Sequence, residues 1–132
     1  RKMGSRFAKT IAKLQLPPML PIFQEYIAAR TGKSMTHCCI YGVFCAALQL
    51  EEQEILAHYL YAQTSVMVTN CVKTIPLSQS AGQHLLSSCY DAFEAILGDV
   101  MQWTEEDLCL SPPGFDLRGM QHEKLYSRLY MS

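Results

Sequence analysis

The sequence predicts an all-α protein, a compact bundle of about five to six helices with an extended or helical C-terminal tail. Apolar residues recur at helical spacing, and no segment alternates apolar and polar residues as a half-buried strand does. Prolines and glycines divide the chain into segments of helix length. A chain of 132 residues suits one domain. We therefore expect a bundle in residues 1–109 and a docking tail in residues 110–132.

An amphipathic helix is predicted from residue 1 to about residue 16 (1–16), where apolar positions such as Phe7 and Ile11 alternate with basic ones. Three prolines then interrupt the pattern, because proline removes a backbone donor and restricts the residue before it. The second helix is expected from Pro21, which suits a first helical turn, to about Arg30.

A turn over residues 31–34 separates the second helix from a third, expected over residues 36–48. Glu51 and its acidic neighbours open a long helix, because carboxylates suit the positive end of a helix dipole, and Pro76 limits it. This helix is apolar nearly all round. We therefore expect it to be buried on most sides, in this chain or against a partner.

Ser80 and Gln83 have the form of a capping box, which predicts a further helix that ends near Trp103. A last short turn capped by Thr104 is expected next. The Pro-Pro-Gly sequence at residues 112–114 is expected to stop the helical pattern.

Charge is scarce and unevenly placed. Charged residues make up 17% of the chain and the net charge is −1, and the basic residues look scattered, so we expect no nucleic-acid binding. Residues 34–90 contain only four charged residues, Glu51, Glu52, Glu54 and Lys73. A small helical domain cannot enclose three such helices completely, so some apolar surface should remain exposed. Exposed surface of that kind usually marks a protein partner.

A membrane-associated protein is a weaker alternative. Residues 34–50 and 55–72 lack Asp, Glu, Lys and Arg and approach the length of a membrane span. However, the second segment contains polar residues such as His58 and Asn70, which are costly in hydrocarbon. We therefore predict no membrane span.

The six cysteines show no C-x-x-C spacing and no signal peptide is evident, so we expect reduced thiols and a cytoplasmic protein. His37, Cys38 and Cys39 form the best metal-like cluster, but helical neighbours point in different directions. Burial of these thiols is the preferred interpretation, and no tight nickel site is expected.

We expect no catalytic residue, metal site or cofactor, because no recognisable catalytic motif is present. A small helical enzyme with a Cys–His pair remains the alternative, since such pairing is visible only in space. A generic helical interaction domain is a further alternative.

Two surfaces are predicted to bind proteins. Tyr61 faces differently from its neighbours on the long helix and is predicted at a homodimer interface, to which Ala57 is also assigned. The tail is rich in aromatic and apolar side chains, whereas disordered tails are normally poor in aromatics. The tail residues expected to contact partners are Met120, His122, Glu123, Leu125, Tyr126, Arg128 and Leu129.

If the tail coils as a helix, Leu125 and Leu129 share one face, and His122 and Tyr126 share the adjacent one. Such an apolar stripe fits a groove, while Arg128 projects toward a carboxylate or a carbonyl.

Several stretches together resemble the urease accessory protein F (UreF) family. They are residues 59–65 (YLYAQTS) with 70–73 (NCVK), residues 76–83 (PLSQSAGQ) and the terminal residues 120–129 (MQHEKLYSRL). The last stretch is the most specific, and residues 1–7 are similar to a mid-protein helix of the family. The resemblance covers essentially the whole chain and is closest to epsilon-proteobacterial members.

Two features depart from the family pattern. An acidic residue is expected where Ala81 stands, at the start of a helix. The family's N-terminal half, with its S-x-x-H-S-x-G-L-E stretch, is not in this sequence, so we expect the chain to be a fragment.

The resemblance implies an all-helical, dimeric, non-enzymatic assembly factor. UreF-like proteins bind the accessory protein UreD, called UreH in Helicobacter, and recruit the GTPase UreG. The resulting assembly helps deliver nickel to the urease apoprotein. The resemblance therefore implies these three partners, and no nucleic acid or membrane.

Overall fold

A computed structural model describes residues 2–14, 21–107 and 113–126, with the side chains of Lys2, Asp116 and Glu123 left aside. The described part consists of α-helices, one short 3-10 turn and connecting turns, without strands, so the all-α fold class is confirmed. The helices are α1 (Lys2–Lys13), α2 (Pro21–Ala29), α3 (His37–Ala47), α4 (Glu52–Thr74), α5 (Gln79–Ser88), α6 (Tyr90–Val100) and α7 (Pro113–Glu123).

The chain divides into two compact units, Arg1–Gly98 and Asp99–Ser132. The first unit contains α1 to α5 and α6 as far as Gly98, and the second contains the last two residues of α6, the 3-10 turn and α7. Among the helices in the described ranges, none is both long and apolar enough to cross a membrane.

The best-packed part of the first unit is the three-helix group α1, α2 and α3. Both α1 and α2 pack against α3, and each helix contributes one buried side chain to a common core: Ala8, Phe23 and Ile40. Phe44 on α3 contacts Phe7 and Phe23 edge-on, with ring centroids 5.6 and 5.3 Å apart. Edge-on aromatic contacts and buried apolar side chains therefore hold both α1 and α2 against α3.

Glycine permits the closest approach in this group. Gly4 on α1 lies against the backbone of Met35 and Thr36, just before α3, where a β-carbon would overlap the Met35 carbonyl. A second glycine, Gly32, has a φ of +75° and turns the chain after α2, where the Lys33 N–H donates to the Arg30 carbonyl at 2.9 Å. The predicted stop at residues 31–34 is confirmed.

The long helix α4 has no fully buried residue. It starts with Glu52 and Glu54 in its first turn, as predicted, and one side packs against α5. The two helices approach closely at Gly82. A β-carbon added there would meet the side chain of Val72, which is stiff because it is β-branched. Burial on most sides within this chain is therefore not found, and burial against a partner remains as the prediction.

The helix predicted from Ser80 to Trp103 begins and divides differently. The N-cap of α5 is Ser78, whose hydroxyl oxygen accepts from the Ala81 N–H at 3.0 Å, so the capping box at Ser80 is wrong. The segment is also not one helix, because α5 ends at its C-cap, Cys89, and α6 begins at Tyr90.

In the second unit, the predicted capped turn at Thr104 is confirmed, whereas the predicted stop at residues 112–114 is wrong. The Asp107 carboxylate accepts from the Thr104 N–H at 2.8 Å and from the Thr104 hydroxyl at 3.1 Å, which holds a 3-10 turn over Glu105–Asp107. Pro113 is the first residue of α7, where its missing N–H has no helical partner to lose. A helix therefore begins within the Pro-Pro-Gly sequence, at Pro113.

Candidate protein-docking surfaces

The first candidate surface is on α7, in the second unit. Its large apolar side chains are exposed, with Phe115, Leu117 and Met120 all more than half accessible to solvent. Leu125 and Tyr126, just beyond the helix, are exposed too. Exposed apolar side chains on and just after one helix are typical of a surface that a partner covers. We call these five residues the α7 surface.

The predicted tail residues lie only partly on this helix. Met120, His122 and Glu123 belong to α7, whereas Leu125 and Tyr126 follow its end. Arg128 and Leu129 lie outside the described residues. Because α7 ends at Glu123, His122 and Tyr126 do not share one continuous helix. The docking role of these residues stays a prediction.

The second candidate surface is on α4. Tyr61 is 42% exposed, and its ring centroid lies 6.3 Å from that of Tyr90 at the start of α6. Tyr59 contacts a different element, Tyr41 on α3, at 5.2 Å between centroids. The expected difference in direction between Tyr59 and Tyr61 is therefore seen. Ala57 is partly buried, and the interface role of both residues stays a prediction.

An aromatic cluster joins α3 to α4 and α1. The His37 ring stacks on Tyr59 at 5.8 Å and meets the edge of Phe7 at 5.6 Å. Its Nδ1 atom is buried and has no hydrogen-bond partner among the described residues. His37 therefore serves the packing of three helices.

The cysteines of this region differ from the prediction. Cys38 and Cys39 are exposed, so the expected burial of these two thiols is wrong, whereas Cys45 is buried. Ile40 and Cys45 are the fully buried residues of α3. Within the described ranges no group of three or more His, Cys, Asp or Glu side chains is arranged to hold a metal ion.

Burial changes the proton affinity of three groups on α3 and α4. It raises the pKa of the Tyr41 hydroxyl, which also donates a hydrogen bond to Cys45 Sγ. It raises the pKa of the Cys45 thiol as well, although the bond from Tyr41 partly opposes this. Burial, with smaller effects from Cys38 and Cys39, raises the pKa of Tyr59. These groups are therefore kept neutral, which suits packing and not proton transfer near neutral pH.

The raised pKa of Cys45 predicts a loss of stability at alkaline pH. The folded state holds the thiol proton more tightly than the unfolded state, so this contribution is complete below the unfolded-state pKa and disappears as pH rises through the folded-state pKa. We expect the free energy of unfolding to fall above about pH 9, the ordinary thiol value. Urea unfolding at several pH values should show a shallower fall for Cys45→Ala than for wild type.

The matched control for this pH series is Cys38→Ala, because Cys38 is exposed on the same helix. Its pH dependence should equal that of the wild type. A Cys45→Ala protein whose stability falls as steeply as the wild type would contradict the assignment.

One histidine has a carboxylate neighbour that sequence reasoning missed. His58 Nε2 lies 3.7 Å from Glu54 Oε1, one helical turn earlier on α4. Residues four apart on a helix are neighbours, so the spacing of Glu54 and His58 could have indicated this pair. Both side chains are well exposed, so the pair contributes little.

The basic residues are less scattered than predicted. Lys9, Arg30 and Lys33 surround one cleft between α1 and the turn after α2. The signal was present in the sequence: the first 50 residues contain seven lysines and arginines and one carboxylate, Glu25. Spacing along the chain hid the cluster, because its members come from two helices and a turn.

A helical fold with exposed apolar side chains on α4 and α7 is typical of proteins that bind other proteins. The UreF family model matches residues 1–90 of the chain. The chain is 31% identical, over 133 residues, to the urease accessory protein UreF of Bacillus sp. (strain TB-90), with 100% of this chain and 58% of that relative covered. The chain belongs to the UreF family.

Other relatives show the same extent of similarity. The urease accessory protein UreF of Actinobacillus pleuropneumoniae serotype 5b (strain L20) is 33% identical, and that of Paenarthrobacter aurescens (strain TC1) is 30% identical. Each match covers 99% of this chain. The chain spans 57% and 58% of the length of these relatives.

Family membership bears on two predictions. The predicted UreF resemblance is confirmed, whereas the closer likeness to epsilon-proteobacterial members stays a prediction. The expectation of an accessory protein without an enzymatic activity of its own is confirmed at the level of the family, whose members are named as urease accessory proteins.

Proposed function

We propose that this chain is part of a non-enzymatic urease maturation factor. In this function it scaffolds a complex of the UreD/UreH-type accessory protein and the UreG-type GTPase, which assembles the nickel centre of the urease apoprotein in the cytoplasm. The observation that carries the proposal is the exposed α7 surface on a member of the UreF family. A protein that binds other proteins needs such a surface, whereas an enzyme needs a convergent polar site.

The α7 surface supports docking through its residue types. Phe115 and Tyr126 are large aromatic side chains with few rotatable bonds, and Met120 is a long, adaptable apolar side chain. All three residue types are enriched at interfaces. Arg118 donates to the Gln121 amide oxygen at 3.3 Å on the same helix. These two polar side chains lie on the same helix as the exposed apolar ones, as polar residues do at the rim of an interface.

The proposal predicts that shortening the tail weakens partner capture. A chain ending at Gly119 loses Met120, Tyr126 and Arg128 and should bind the UreD-type and UreG-type proteins at least about thirtyfold more weakly. Arg128→Ala should weaken capture in the same direction, because interfacial arginines often contribute about 2 kcal/mol or more. Co-purification of tagged chain with each partner measures both effects.

Matched single variants separate docking from general loss of apolar surface. Met120 on α7 is 65% exposed and Ile22 on α2 is 63% exposed. Met120→Ala should weaken capture, and Ile22→Ala should not. Partner capture that survives removal of residues 120–132 would contradict a role for the tail.

We also propose that α4 contributes to a homodimer through Tyr61 and Ala57. Tyr61 is 42% exposed, and Ala57 lies one helical turn earlier on the same side of α4, which supports this assignment. Tyr61→Asp should convert dimer to monomer, because a carboxylate without a partner in an apolar interface costs at least about 2 kcal/mol. Light scattering gives the mass directly.

The control for the dimer experiment is Ile22→Asp, a charge at an exposed apolar position outside α4. It should leave the mass unchanged. A Tyr61→Asp protein with wild-type mass would remove Tyr61 from the interface.

A further inference from the structure

The cleft between α1 and the turn after α2 has the dimensions of a binding site. Its volume is about 480 Å³, and its inner surface is mostly apolar. Ala8, Ile27 and Met35 supply the apolar floor, and Ala12 lies at the same cleft near the end of α1. Binding pockets commonly have roughly 300–1,000 Å³ and an apolar lining with few polar groups. We call this site the basic cleft.

Three cations stand around that floor. Lys9 comes from α1, Arg30 follows the last residue of α2, and Lys33 follows Gly32 in the turn. No carboxylate is among the residues that line the cleft in the described structure. The Arg30 guanidinium lies 5.8 Å from the centroid of the Tyr26 ring, which restricts its position. The rim is therefore positive without internal compensation.

Helix-end stabilisation accounts for only part of this arrangement. Arg30 and Lys33 stand beside the C-terminal end of α2, where the helix dipole favours cations. Lys9 lies in the body of α1, away from either of its ends, and still lines the same cleft. A ligand with negative charge explains all three positions together.

The surrounding charge reinforces the cleft. Glu25 is the only acidic residue among the first 50, against seven lysines and arginines. None of the described residues that line the cleft is acidic, so the field at the cleft attracts anions over about a Debye length. The occupant must carry negative charge to match the rim and an apolar group to cover the floor.

We propose that the basic cleft binds an acidic segment of a partner protein, with carboxylates at Lys9, Arg30 and Lys33 and a large apolar side chain on the floor. The cleft is open to solvent, as a peptide segment requires, whereas small ligands are usually enclosed over most of their surface. Nucleic acid would use the cations and leave the apolar floor uncovered. The inference goes beyond the proposed function, and its test leaves the tail intact.

The test measures binding of fluorescein-labelled peptides to the full chain by fluorescence anisotropy. The probe is Glu-Leu-Leu-Glu-Glu-Leu-Leu-Glu. One control, Glu-Ser-Ser-Glu-Glu-Ser-Ser-Glu, keeps the carboxylates without the apolar groups, and a second, Gln-Leu-Leu-Gln-Gln-Leu-Leu-Gln, keeps the apolar groups without the charge. We expect each control to bind at least about tenfold more weakly than the probe, because one control lacks the apolar side chains and the other lacks the carboxylates.

Paired variants then locate the site. Lys9→Glu with Lys33→Glu should weaken probe binding at least about tenfold. Arg6→Glu with Lys13→Glu makes the same change in net charge at exposed cations of α1 that do not line the cleft, and should leave binding within about twofold. Ala12→Arg adds positive charge but obstructs the floor, so it should weaken binding if the apolar contact is real. Circular dichroism and thermal unfolding confirm that each variant is folded.

Four results would overturn the proposal. They are no saturable binding of the probe to the wild type, equal loss in the two paired variants, equal binding of the serine peptide, and tighter binding of either dodecanoate or a uridine oligonucleotide at the same cleft. The last result would assign the cleft to a small amphiphile or to nucleic acid instead. A change at the tail has no bearing on any of these outcomes, so failure here is distinguishable from failure of the proposed scaffold.

Discussion

Replacing Gly4 by alanine is expected to destabilise the unit formed by residues 1–98 by about 3 kcal/mol. The new β-carbon would overlap the carbonyl group of Met35 and approach the carbonyl carbon of Thr36 to 3.1 Å. All of these neighbours are backbone atoms, so no side-chain rotation can relieve the overlap. α1 would have to move away from the start of α3 and would lose part of the core around Ala8.

A second glycine provides a control of opposite sign. A β-carbon on Gly42, in α3, would meet no atom within 4 Å. Gly42→Ala should therefore stabilise the protein by roughly 0.5–1 kcal/mol, because alanine loses less backbone entropy in a helix. Urea unfolding followed by circular dichroism measures both variants. Equal midpoints for Gly4→Ala and the wild type would show that the close approach is absent in solution.

Truncation of Ile40 should have a comparable effect. Ile40 is 0% exposed and sits between α1 and α2 in the core. Ile40→Ala removes three buried carbon atoms and leaves a cavity, which typically costs about 2–5 kcal/mol. Ile40→Val, which removes one carbon, should cost about 0.5–1.5 kcal/mol. Thermal unfolding of the two variants should therefore show graded losses.

The exposed Ile22 is the reference for this series, since it has the same side chain at 63% exposure on α2. Ile22→Ala should change the free energy of unfolding by less than about 0.5 kcal/mol. If Ile40→Ala were as stable as Ile22→Ala, the three-helix core would not be the main source of stability.

Helix positions were largely predictable because local chemistry marks them. Pro21 at the first turn of α2, Gly32 after it and Glu52 at the start of α4 act through their own backbone or charge, whatever lies around them. The start of α5 was harder, since Ser78 and Ser80 offer the same hydroxyl. The family pattern, which has an acidic residue in place of Ala81, was informative there. Ala81 occupies the third helical position after the Ser78 cap, which is where a capping box has its Glu or Gln.

Two features depended on tertiary packing. The break at Cys89 has no glycine or proline to mark it. The Cys89 N–H donates to the Leu86 and Ser87 carbonyls, and its thiol donates to the Leu85 carbonyl at 3.3 Å. On α3, apolar residues occur all round, so the pattern could not say that Cys45 faces inward while Cys38 and Cys39 face outward. Such choices are made by neighbouring helices and not by the segment itself.

The candidate sites divide in the same way. Composition predicted an apolar docking tail, and exposed apolar side chains are found on α7. The basic cleft was missed because Lys9 and Arg30 are far apart in sequence and meet only when α1 lies near the end of α2. Counting charge by segment, before judging the spacing of single residues, would have indicated a basic surface.

The long helix α4 has no fully buried residue, and this should affect how fast the protein is degraded in a cell. This helix is 23 residues long, about 35 Å, and only limited packing protects it from local opening. A partner that covers it at a hundred times its dissociation constant would add about 2.7 kcal/mol of stability, similar to the core contribution of Ile40. Copies without a partner open more often and meet proteases sooner. We therefore expect the cellular amount of this protein to follow the supply of its partner, so that surplus copies are removed by degradation.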